Sequence, residues 1–233
     1  MRERFDVTVI GGGVVGCAIA RKLSHFDLRV CLLEAKTDVG TGTSKANTAI
    51  FHTGFDAVPG SLEAQLLRRG YSLLKEYCDT TGIAYRINGA VMVAWNSEQL
   101  ERLPQIKASA LQNGVVRVEM LDGQGVYRRE PHLGSGALGG LLICEEGILC
   151  PFSPVIAFAR EAKSNGVVFH FNAPVQSVCR ADRGSLLSSS GGREIETDWV
   201  VNAAGLYSDE IDYLLGHQRF GVTPRRGQLI VFD

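Results

Sequence analysis

Three glycines and one acidic residue near the N-terminus have the types and spacing needed to hold a ligand rich in phosphate. Gly11, Gly13 and Gly16 form a G-x-G-x-x-G pattern, and Glu34 ends the next apolar run. In such a pattern the first glycine permits a sharp turn, the second lets backbone approach a pyrophosphate, and the third lets a helix pack against a sheet. A carboxylate in the position of Glu34 accepts ribose hydroxyls and disfavours a 2′-phosphate. The residues therefore predict a site for a dinucleotide other than NADP.

The elements around these residues must place them at one edge of a sheet. Residues 5–10 (FDVTVI) and 29–33 (RVCLL) are short apolar runs typical of strands, and residues 18–23 between them have one apolar helical face. The helix N-terminus would then offer free N–H groups and the positive end of its dipole to phosphates. A glycine pattern alone is weak, but here strand, glycines, helix, strand and acid occur in order.

Further polar residues extend the list of candidates. Thr43 and Ser44 carry hydroxyls that could donate to phosphate oxygens. His52 lies in a brief apolar patch, where it is either a buried structural residue or a base with a pKa near working pH.

Arginines provide the candidates for binding an anionic substrate. Arg225 and Arg226 could bind a carboxylate or phosphate with paired hydrogen bonds, or they are ordinary surface charges at the end of a strand. Arg86 has the same two interpretations.

Composition narrows the class of protein. The chain has 233 residues, a net charge of −1, 45% hydrophobic and 21% charged residues, which predicts a packed core and gives no reason to expect nucleic acid or an acidic membrane as partner. The six cysteines form no C-x-x-C pair, so we expect buried thiols in a reducing cytoplasm and no metal site. No run reaches the ~18 apolar residues of a membrane span.

The order of elements predicts the fold class. Strands alternate with helices at both ends of the chain, whereas the middle suggests antiparallel strands, including a hairpin at Asn88-Gly89. Pro104 is expected to break the first turn of a helix or to start it. We predict an α/β protein with a three-layer, Rossmann-like sheet and an interleaved antiparallel substrate sheet. The predicted domains are 1–80 with 147–213 for the dinucleotide, and 81–146 with 214–233 for the substrate.

A second motif allows a family resemblance to be stated. Residues 198–209 (DWVVNAAGLYSD) form a strand that ends in N-A-A-G, and with the N-terminal motif they resemble the FAD-dependent D-amino acid oxidase superfamily. Residues 43–70, the INGAVMVA segment and residues 145–169 are similar to its branch of glycerol-3-phosphate dehydrogenases and L-2-hydroxyglutarate oxidases. The resemblance covers nearly the whole chain.

The resemblance implies FAD as cofactor and a role for particular residues. The implied FAD contacts are Gly11, Gly13 and Gly16 at the pyrophosphate, Glu34 at the ribose, Thr43 and Ser44 by the phosphates or the flavin, the backbone of Val175 at the adenine, and Ala204 with Gly205 along the FAD. His52 would lie near the isoalloxazine ring, and Arg226, from the pair of arginines above, is the residue that we expect to bind substrate. Asn202 is expected to be structural.

The resemblance also implies a reaction. A hydride would pass from a carbon that bears a hydroxyl to the flavin, with His52 accepting the hydroxyl proton. The substrate would be glycerol 3-phosphate or a 2-hydroxy acid such as L-2-hydroxyglutarate, and the electron acceptor is not indicated. The alternatives are an amine or amino-acid oxidase of the same superfamily and a non-catalytic FAD-binding fragment or subunit. An enzyme that uses NAD alone would leave the 198–209 motif without a role.

The C-terminus departs from the family pattern. Family members continue with more substrate sheet, whereas this chain stops at Asp233, just after the apolar run Leu229–Phe232. We therefore expect a C-terminally truncated protein, or a homo-oligomer or second chain that completes the pocket. The strand Gly227–Phe232 is expected to belong to the antiparallel sheet and to leave an open edge prone to association.

Overall fold

The computed structural model describes residues 2–228. The strands of this part are β1 Arg2–Ile10, β2 Val30–Leu33, β3 Ile50–Phe51, β4 Tyr85–Arg86, β5 Ala90–Ala94, β6 Val118–Asp122, β7 Gly139–Ile143, β8 Gly147–Leu149, β9 Val168–His170, β10 Val175–Arg180, β11 Ser185–Ser189 and β12 Arg193–Asn202. The α-helices are α1 Val14–Leu23, α2 Leu62–Thr81, α3 Ser97–Gln112, α4 Gly123–Arg129, α5 Ser153–Ser164 and α6 Ser208–Leu214, and two short 3-10 helices span Thr43–Lys45 and Gly205–Tyr207. Among residues 2–228, no helix combines the length and apolarity that crossing a membrane requires.

The described residues divide into two compact units with different bounds from the predicted domains. The first unit contains residues 2–48 and 151–228, and the second contains residues 49–150. Helix α2 belongs to the second unit because Tyr71 stacks on Phe51, with ring centroids 4.6 Å apart. The segment after α6 belongs to the first unit, where the carboxylate of Asp209 accepts a hydrogen bond from the Val222 N–H at 2.9 Å.

The sheet of the first unit has six strands in the order β10-β11-β12-β1-β2-β9. Strand β1 runs parallel to both β2 and β12, and β2 runs parallel to β9. In the register of β1 and β12, Val7 pairs with Trp199 and Ile10 pairs with Asn202. The N-A-A-G strand therefore returns to the side of the first strand, as the sequence predicted.

Helices pack on this sheet through small and apolar residues. Helix α1 contacts α5 and the strands β1 and β2, and it buries Gly16, Cys17 and Ala20. Helix α6 contacts β10 and β12, and its Ile211 joins a core of sheet residues: Phe5, Ile10, Cys31, Leu33, Ala173, Leu187 and Ile195. Burial of these apolar side chains stabilises the unit. The predicted α/β class is confirmed.

The second unit contains two antiparallel three-stranded sheets, β3-β8-β4 and β5-β7-β6. Its core consists of Phe55, Ala94, Leu103, Ala110, Val115, Val118, Leu141 and Ile143. The chain enters and leaves this unit at neighbouring points, because the Leu149 N–H donates to the Ala49 carbonyl at 3.0 Å. The antiparallel layer is therefore present, although its role in substrate binding stays a prediction.

The predicted hairpin at Asn88-Gly89 is wrong. Gly89 does adopt the left-handed conformation of a turn, with φ +76°. However, β4 pairs with β8 and β5 pairs with β7, so the two strands that flank the turn belong to different sheets. The reason is that the connection between β7 and β8 crosses the turn, where the Gly89 N–H donates to the Glu146 carbonyl at 2.9 Å.

The predictions for Pro104 are also wrong. Pro104 lies inside helix α3, which begins at Ser97. The start is fixed instead by Asn96, whose side-chain oxygen accepts from the Gln99 N–H at 2.9 Å.

The predicted terminal strand cannot be described in the same way, because residues 229–233 lie outside the described residues. Residues 217–228 contain neither helix nor strand. They begin against helix α6, where the Arg219 N–H donates to the carboxylate of Asp212 at 2.9 Å.

Candidate functional site

The turn between β1 and α1 brings the two glycine-containing motifs together. Gly11 has φ +108°, and a Cβ atom on it would lie 2.3 Å from the carbonyl oxygen of Ala203 and 3.1 Å from the Cα of Ala204. On its other side, the Gly11 N–H donates to the Leu33 carbonyl at 2.8 Å. Only glycine can occupy this position, since both the backbone angle and the space exclude a side chain.

The other two glycines of the motif have different surroundings. A Cβ on Gly16 would lie 1.9 Å from the Gly11 carbonyl oxygen, so the first turn of α1 packs directly on the glycine turn. A Cβ on Gly13 would instead meet the hydroxyl of Ser44 at 3.2 Å. Gly13 is half-buried and is faced by a side chain, whereas the Cβ positions of Gly11 and Gly16 are blocked by backbone, so these two glycines serve close packing.

A hydroxyl lies at the N-terminus of helix α1. Ser44 Oγ accepts from the Val14 N–H at 2.9 Å, and this N–H belongs to the first residue of the helix. Thr43 begins the same 3-10 helix as Ser44 and is exposed. A helix N-terminus with a hydroxyl beside it favours a phosphate group.

Glu34 is held beside the glycine turn by its own hydrogen bonds. Its carboxylate accepts from the Gly12 N–H at 2.6 Å and from the Lys36 N–H at 2.8 Å. Its main chain bonds to His170 and Ala173, each at 2.9 Å. A carboxylate has about four acceptor positions, so Glu34 retains capacity for hydroxyl groups of a ligand. Sequence reasoning found Glu34 but missed its bond to Gly12.

Of the remaining predicted cofactor residues, Val175 lies on the edge strand β10, and Ala204 and Gly205 follow the end of β12. Val175 opens strand β10, which β11 and β12 separate from β1, and its side chain packs on the core. Ala204 also packs on the core. Gly205 has φ +60° and open space around it. The side-chain amide of Asn202 bonds to backbone, since it donates to the Ser208 carbonyl at 2.7 Å.

These residues fit a dinucleotide. The half-buried Gly13, the N-terminus of α1 with the Ser44 hydroxyl, and the fixed carboxylate of Glu34 lie together, and a pyrophosphate with its ribose requires this combination. The structure brings Gly11, Gly13, Gly16, Glu34, Ser44 and Ala204 together.

His52 lies in a separate cluster within the second unit. Its Nδ1 is 3.1 Å from both carboxylate oxygens of Glu146, and its Nε2 is 3.2 Å from Asp56 Oδ1. The ring of Phe55 meets the imidazole edge-on, with centroids 5.7 Å apart. Hydrogen bonding to Glu146 raises the pKa of His52 above 6.5, although partial burial opposes the shift.

Glu146 is the buried acid of this cluster, and sequence reasoning missed both Glu146 and Asp56. Its side chain is buried, and its Oε1 also accepts from the N–H and the hydroxyl of Thr53, both at 2.6 Å. Burial raises the pKa of Glu146, but the hydrogen bonds from His52 and Thr53 outweigh burial, so the pKa of this carboxyl lies below its ordinary value. No local pattern could have found the contact, because Glu146 is far from His52 in the sequence.

The predicted arginines are exposed. Arg225 and Arg226 lie in the segment without helix or strand that follows α6 in the first unit, and Arg86 lies in β4 of the second unit. Their roles in substrate binding stay predictions.

Comparison with known proteins identifies relatives of the chain. The profile of a family described as DAO, FAD dependent oxidoreductase, matches residues 6–233. A glycerol 3-phosphate dehydrogenase of Caloramator mitchellensis is 34% identical over 98% of this chain and 48% of its own length. The human mitochondrial L-2-hydroxyglutarate dehydrogenase is 30% identical over 91% of this chain and 48% of its own length. The chain thus spans about half the length of these curated relatives.

Solved structures with a similar fold include oxidases. The FAD-bound L-alpha-glycerophosphate oxidase of Mycoplasma pneumoniae superposes with a TM-score of 0.86 and 28% identity, over 91% of this chain and 57% of that one. Glycine oxidase of Geobacillus kaustophilus gives a TM-score of 0.81 and 25% identity, over 92% and 59%. With its profile match, its fold and its paired glycine motifs, the chain belongs to the DAO family of FAD dependent oxidoreductases.

Proposed function

We propose that this chain binds FAD in its first unit and forms part of a dehydrogenase or oxidase that acts on a hydroxy compound. The observation that carries the proposal is the contact of Gly11 with Ala203, through which the return strand β12 completes the glycine turn. The fixed carboxylate of Glu34 beside Gly12 supports binding of the adenosine ribose.

Glycerol 3-phosphate or a 2-hydroxy acid such as L-2-hydroxyglutarate is the proposed substrate. The names of two relatives, a glycerol 3-phosphate dehydrogenase and an L-2-hydroxyglutarate dehydrogenase, support this class. When bound, FAD would supply the acceptor for a hydride from the hydroxyl-bearing carbon. In this proposal His52 accepts the hydroxyl proton, and Arg226 binds the anionic group of the substrate.

Two other functions stay alternatives. The fold similarity to glycine oxidase supports an amine or amino acid as substrate. An FAD-binding fragment or subunit without catalysis of its own is the second alternative. The cytoplasmic location expected from the cysteines remains a prediction, as do a homo-oligomer and a complementing chain.

Titration with FAD tests cofactor binding. We expect the purified chain to contain or take up FAD, and Gly13→Ala to weaken that uptake strongly, because the added methyl group fills the space left for the pyrophosphate. Gly42→Ala is the control, since a Cβ at Gly42 would meet no atom within 4 Å. Binding of NAD or NADP without FAD would contradict the proposal, and so would equal FAD affinity of the two variants.

Bleaching of the bound flavin separates the substrate classes. The FAD-loaded chain is mixed without oxygen with glycerol 3-phosphate, L-2-hydroxyglutarate, glycine or proline. Bleaching by a hydroxy compound supports the proposed function, and bleaching by an amino acid supports the amine alternative. Flavin that no substrate bleaches supports the fragment.

A further inference from the structure

The cluster around His52 contains a buried carboxylate to which the proposed function gives no role. Glu146 is 2% exposed and lies in the connection between β7 and β8. Its main-chain carbonyl accepts from the Gly89 N–H at 2.9 Å, and its side chain accepts two hydrogen bonds from Thr53 at 2.6 Å. Backbone and side chain of Glu146 are therefore fixed independently of His52.

The position of this carboxylate determines which nitrogen of His52 carries a proton. Both oxygens of Glu146 are 3.1 Å from Nδ1. An ionised carboxylate only accepts hydrogen bonds, so Nδ1 must be the donor in this contact. The nitrogen that is left to gain and lose a proton is Nε2.

The second carboxylate near His52 is of a different kind. Asp56 Oδ1 faces Nε2 at 3.2 Å, but the Asp56 side chain is 52% exposed. A substrate could displace Asp56 from Nε2 while leaving its charge in water, whereas Glu146, on losing Nδ1, would be a buried charge with only the neutral Thr53 as partner. Glu146 and Asp56 are the charged groups that act on His52.

We infer that Glu146 is the positioning residue of His52: it orients the ring, keeps Nδ1 protonated and leaves Nε2 to accept the substrate's hydroxyl proton. The role of Nε2 toward the substrate rests on the proposed function, whereas the orientation of the ring and the proton on Nδ1 rest on the contacts within the second unit. Because hydrogen bonding to Glu146 also raises the pKa of His52, the ring must lose its Nε2 proton before it can act as a base. Substrate oxidation should therefore increase as the pH rises through that pKa.

Nitrogen NMR of the 233-residue chain tests the inference without relying on activity. Long-range proton–nitrogen spectra report the tautomer and pKa of each histidine, and the His52 signals are assigned by their loss in His52→Gln. We expect the neutral ring of the unmodified chain to be the Nδ1–H tautomer. In Glu146→Gln the amide oxygen should take the bonds from Thr53, so that the amide NH₂ donates to Nδ1. The neutral ring should then switch to Nε2–H, and its pKa should fall by roughly one to three units.

Asp56→Asn is the matched control. It removes the other carboxylate, so the pKa of His52 should fall, but the Nδ1–H tautomer should persist because Glu146 is untouched. An Nε2–H tautomer in the unmodified chain would overturn the inference, whether or not Glu146→Gln folds. An unchanged tautomer in a folded Glu146→Gln would overturn it as well.

The outcomes for the proposed function are separate. A chain that switches tautomer in Glu146→Gln but takes up no FAD contradicts the proposed function and supports the positioning of His52. A chain that turns over a hydroxy compound while the tautomer stays unchanged contradicts only the role of Glu146.

Discussion

The Glu34 carboxylate, which is proposed to bind the ribose, also accepts hydrogen bonds from two backbone N–H groups. Gly12 and Lys36 donate to its two oxygens at 2.6 and 2.8 Å. The acid is thus oriented before any ligand arrives, and less conformational entropy is lost on binding. A side chain without these acceptors would leave the N–H groups of Gly12 and Lys36 without their hydrogen-bond partner.

We predict that Glu34→Ala lowers FAD affinity at least tenfold. Each lost charge-assisted hydrogen bond contributes roughly 1.5–3 kcal/mol, and about 1.4 kcal/mol corresponds to a factor of ten. Fluorescence titration with FAD measures the change, and circular dichroism checks that the variant folds. Asp38→Ala is the control, since Asp38 is an exposed acid of the same loop whose side chain accepts from the adjacent Val39 N–H. Equal affinities of the two variants would remove Glu34 from the site.

We predict that the ion pair of His52 and Glu146 contributes to stability with a bell-shaped dependence on pH. Glu146 has a lowered pKa, so its contribution is present above pH 4.5 and is lost as the pH falls through the folded-state pKa. His52 has a raised pKa, so its contribution is present below pH 6.5 and is lost as the pH rises through the folded-state pKa. The pair should therefore stabilise most between these two values.

Urea unfolding of the chain and of Glu146→Gln at a series of pH values measures this contribution. The difference in unfolding free energy should be greatest from about pH 4.5 to 6.5 and should shrink on both sides. Glu145→Gln makes the same change one residue earlier, at a carboxyl that is not among the groups acting on His52, and should show no such maximum. A difference that is constant with pH would contradict the pairing.

The positions of the glycine-turn residues could be predicted because the pattern that identifies them lies within one short stretch of sequence. Gly11 and Glu34 follow a local order of strand, turn, helix and strand that few other functions require. The partnership of His52 and Glu146 could not be predicted, because it depends on how the connection between β7 and β8 crosses the turn at Gly89. A pattern of neighbours in sequence contains no information about such a contact.

At the scale of elements, the register of β12 beside β1 has an electrostatic component. Arg4 forms ion pairs with Glu196 and with Asp198, the latter at 2.8 Å, and Arg2 pairs with Glu194 at 3.5 Å. Each pair is partly exposed and contributes little alone. Arg2 and Arg4 lie opposite Glu194 and Glu196 in the parallel register, so these pairs favour it, whereas the main restraint is the buried face of the sheet, which a one-residue shift would turn to the opposite side.

The packing of α1 can be tested at Gly16, with Gly70 of α2 as the control. Gly16→Ala should destabilise the chain by about 3 kcal/mol, because the new Cβ would lie 1.9 Å from the Gly11 carbonyl oxygen and the turn would have to move. Gly70→Ala in α2 should stabilise it by roughly 0.5–1 kcal/mol, since no atom lies within 4 Å of that Cβ and alanine favours a helix. Urea unfolding followed by circular dichroism measures both. Equal effects of the two changes would mean that α1 does not pack as described.

Element types were predicted more successfully than element partners. Hydrophobic periodicity identified β1, α1 and β12, because a buried face imposes its period on the sequence. The Asn88-Gly89 dipeptide shows the limit: Gly89 has a left-handed backbone, but the hairpin predicted from the dipeptide is absent, because the flanking strands pair with β8 and β7. Turn residues determine local dihedral angles, whereas strand pairing is decided by the whole core.

At the scale of the whole molecule, the second unit has the properties of an inserted domain. It has its own core, and its ends meet where the Leu149 N–H donates to the Ala49 carbonyl. We predict that residues 49–150 fold alone and unfold cooperatively in urea, with the His52 pKa of the full chain. As a control, a fragment of residues 49–138 lacks β7 and β8 and should not fold. A 49–150 fragment without a cooperative transition would contradict the independence of the unit.

The central position of β1 also has a consequence for synthesis on the ribosome. One neighbour of β1, strand β2, follows it closely, but the other, β12, begins only at Arg193. At roughly 5–20 residues per second, β1 waits on the order of 10–40 s for its second neighbour to be translated. During that interval one edge of the apolar strand β1 is uncovered, while residues 49–150 are synthesised and can fold. Chaperone binding to nascent chains should therefore be strongest before β12 emerges and should fall once it pairs with β1.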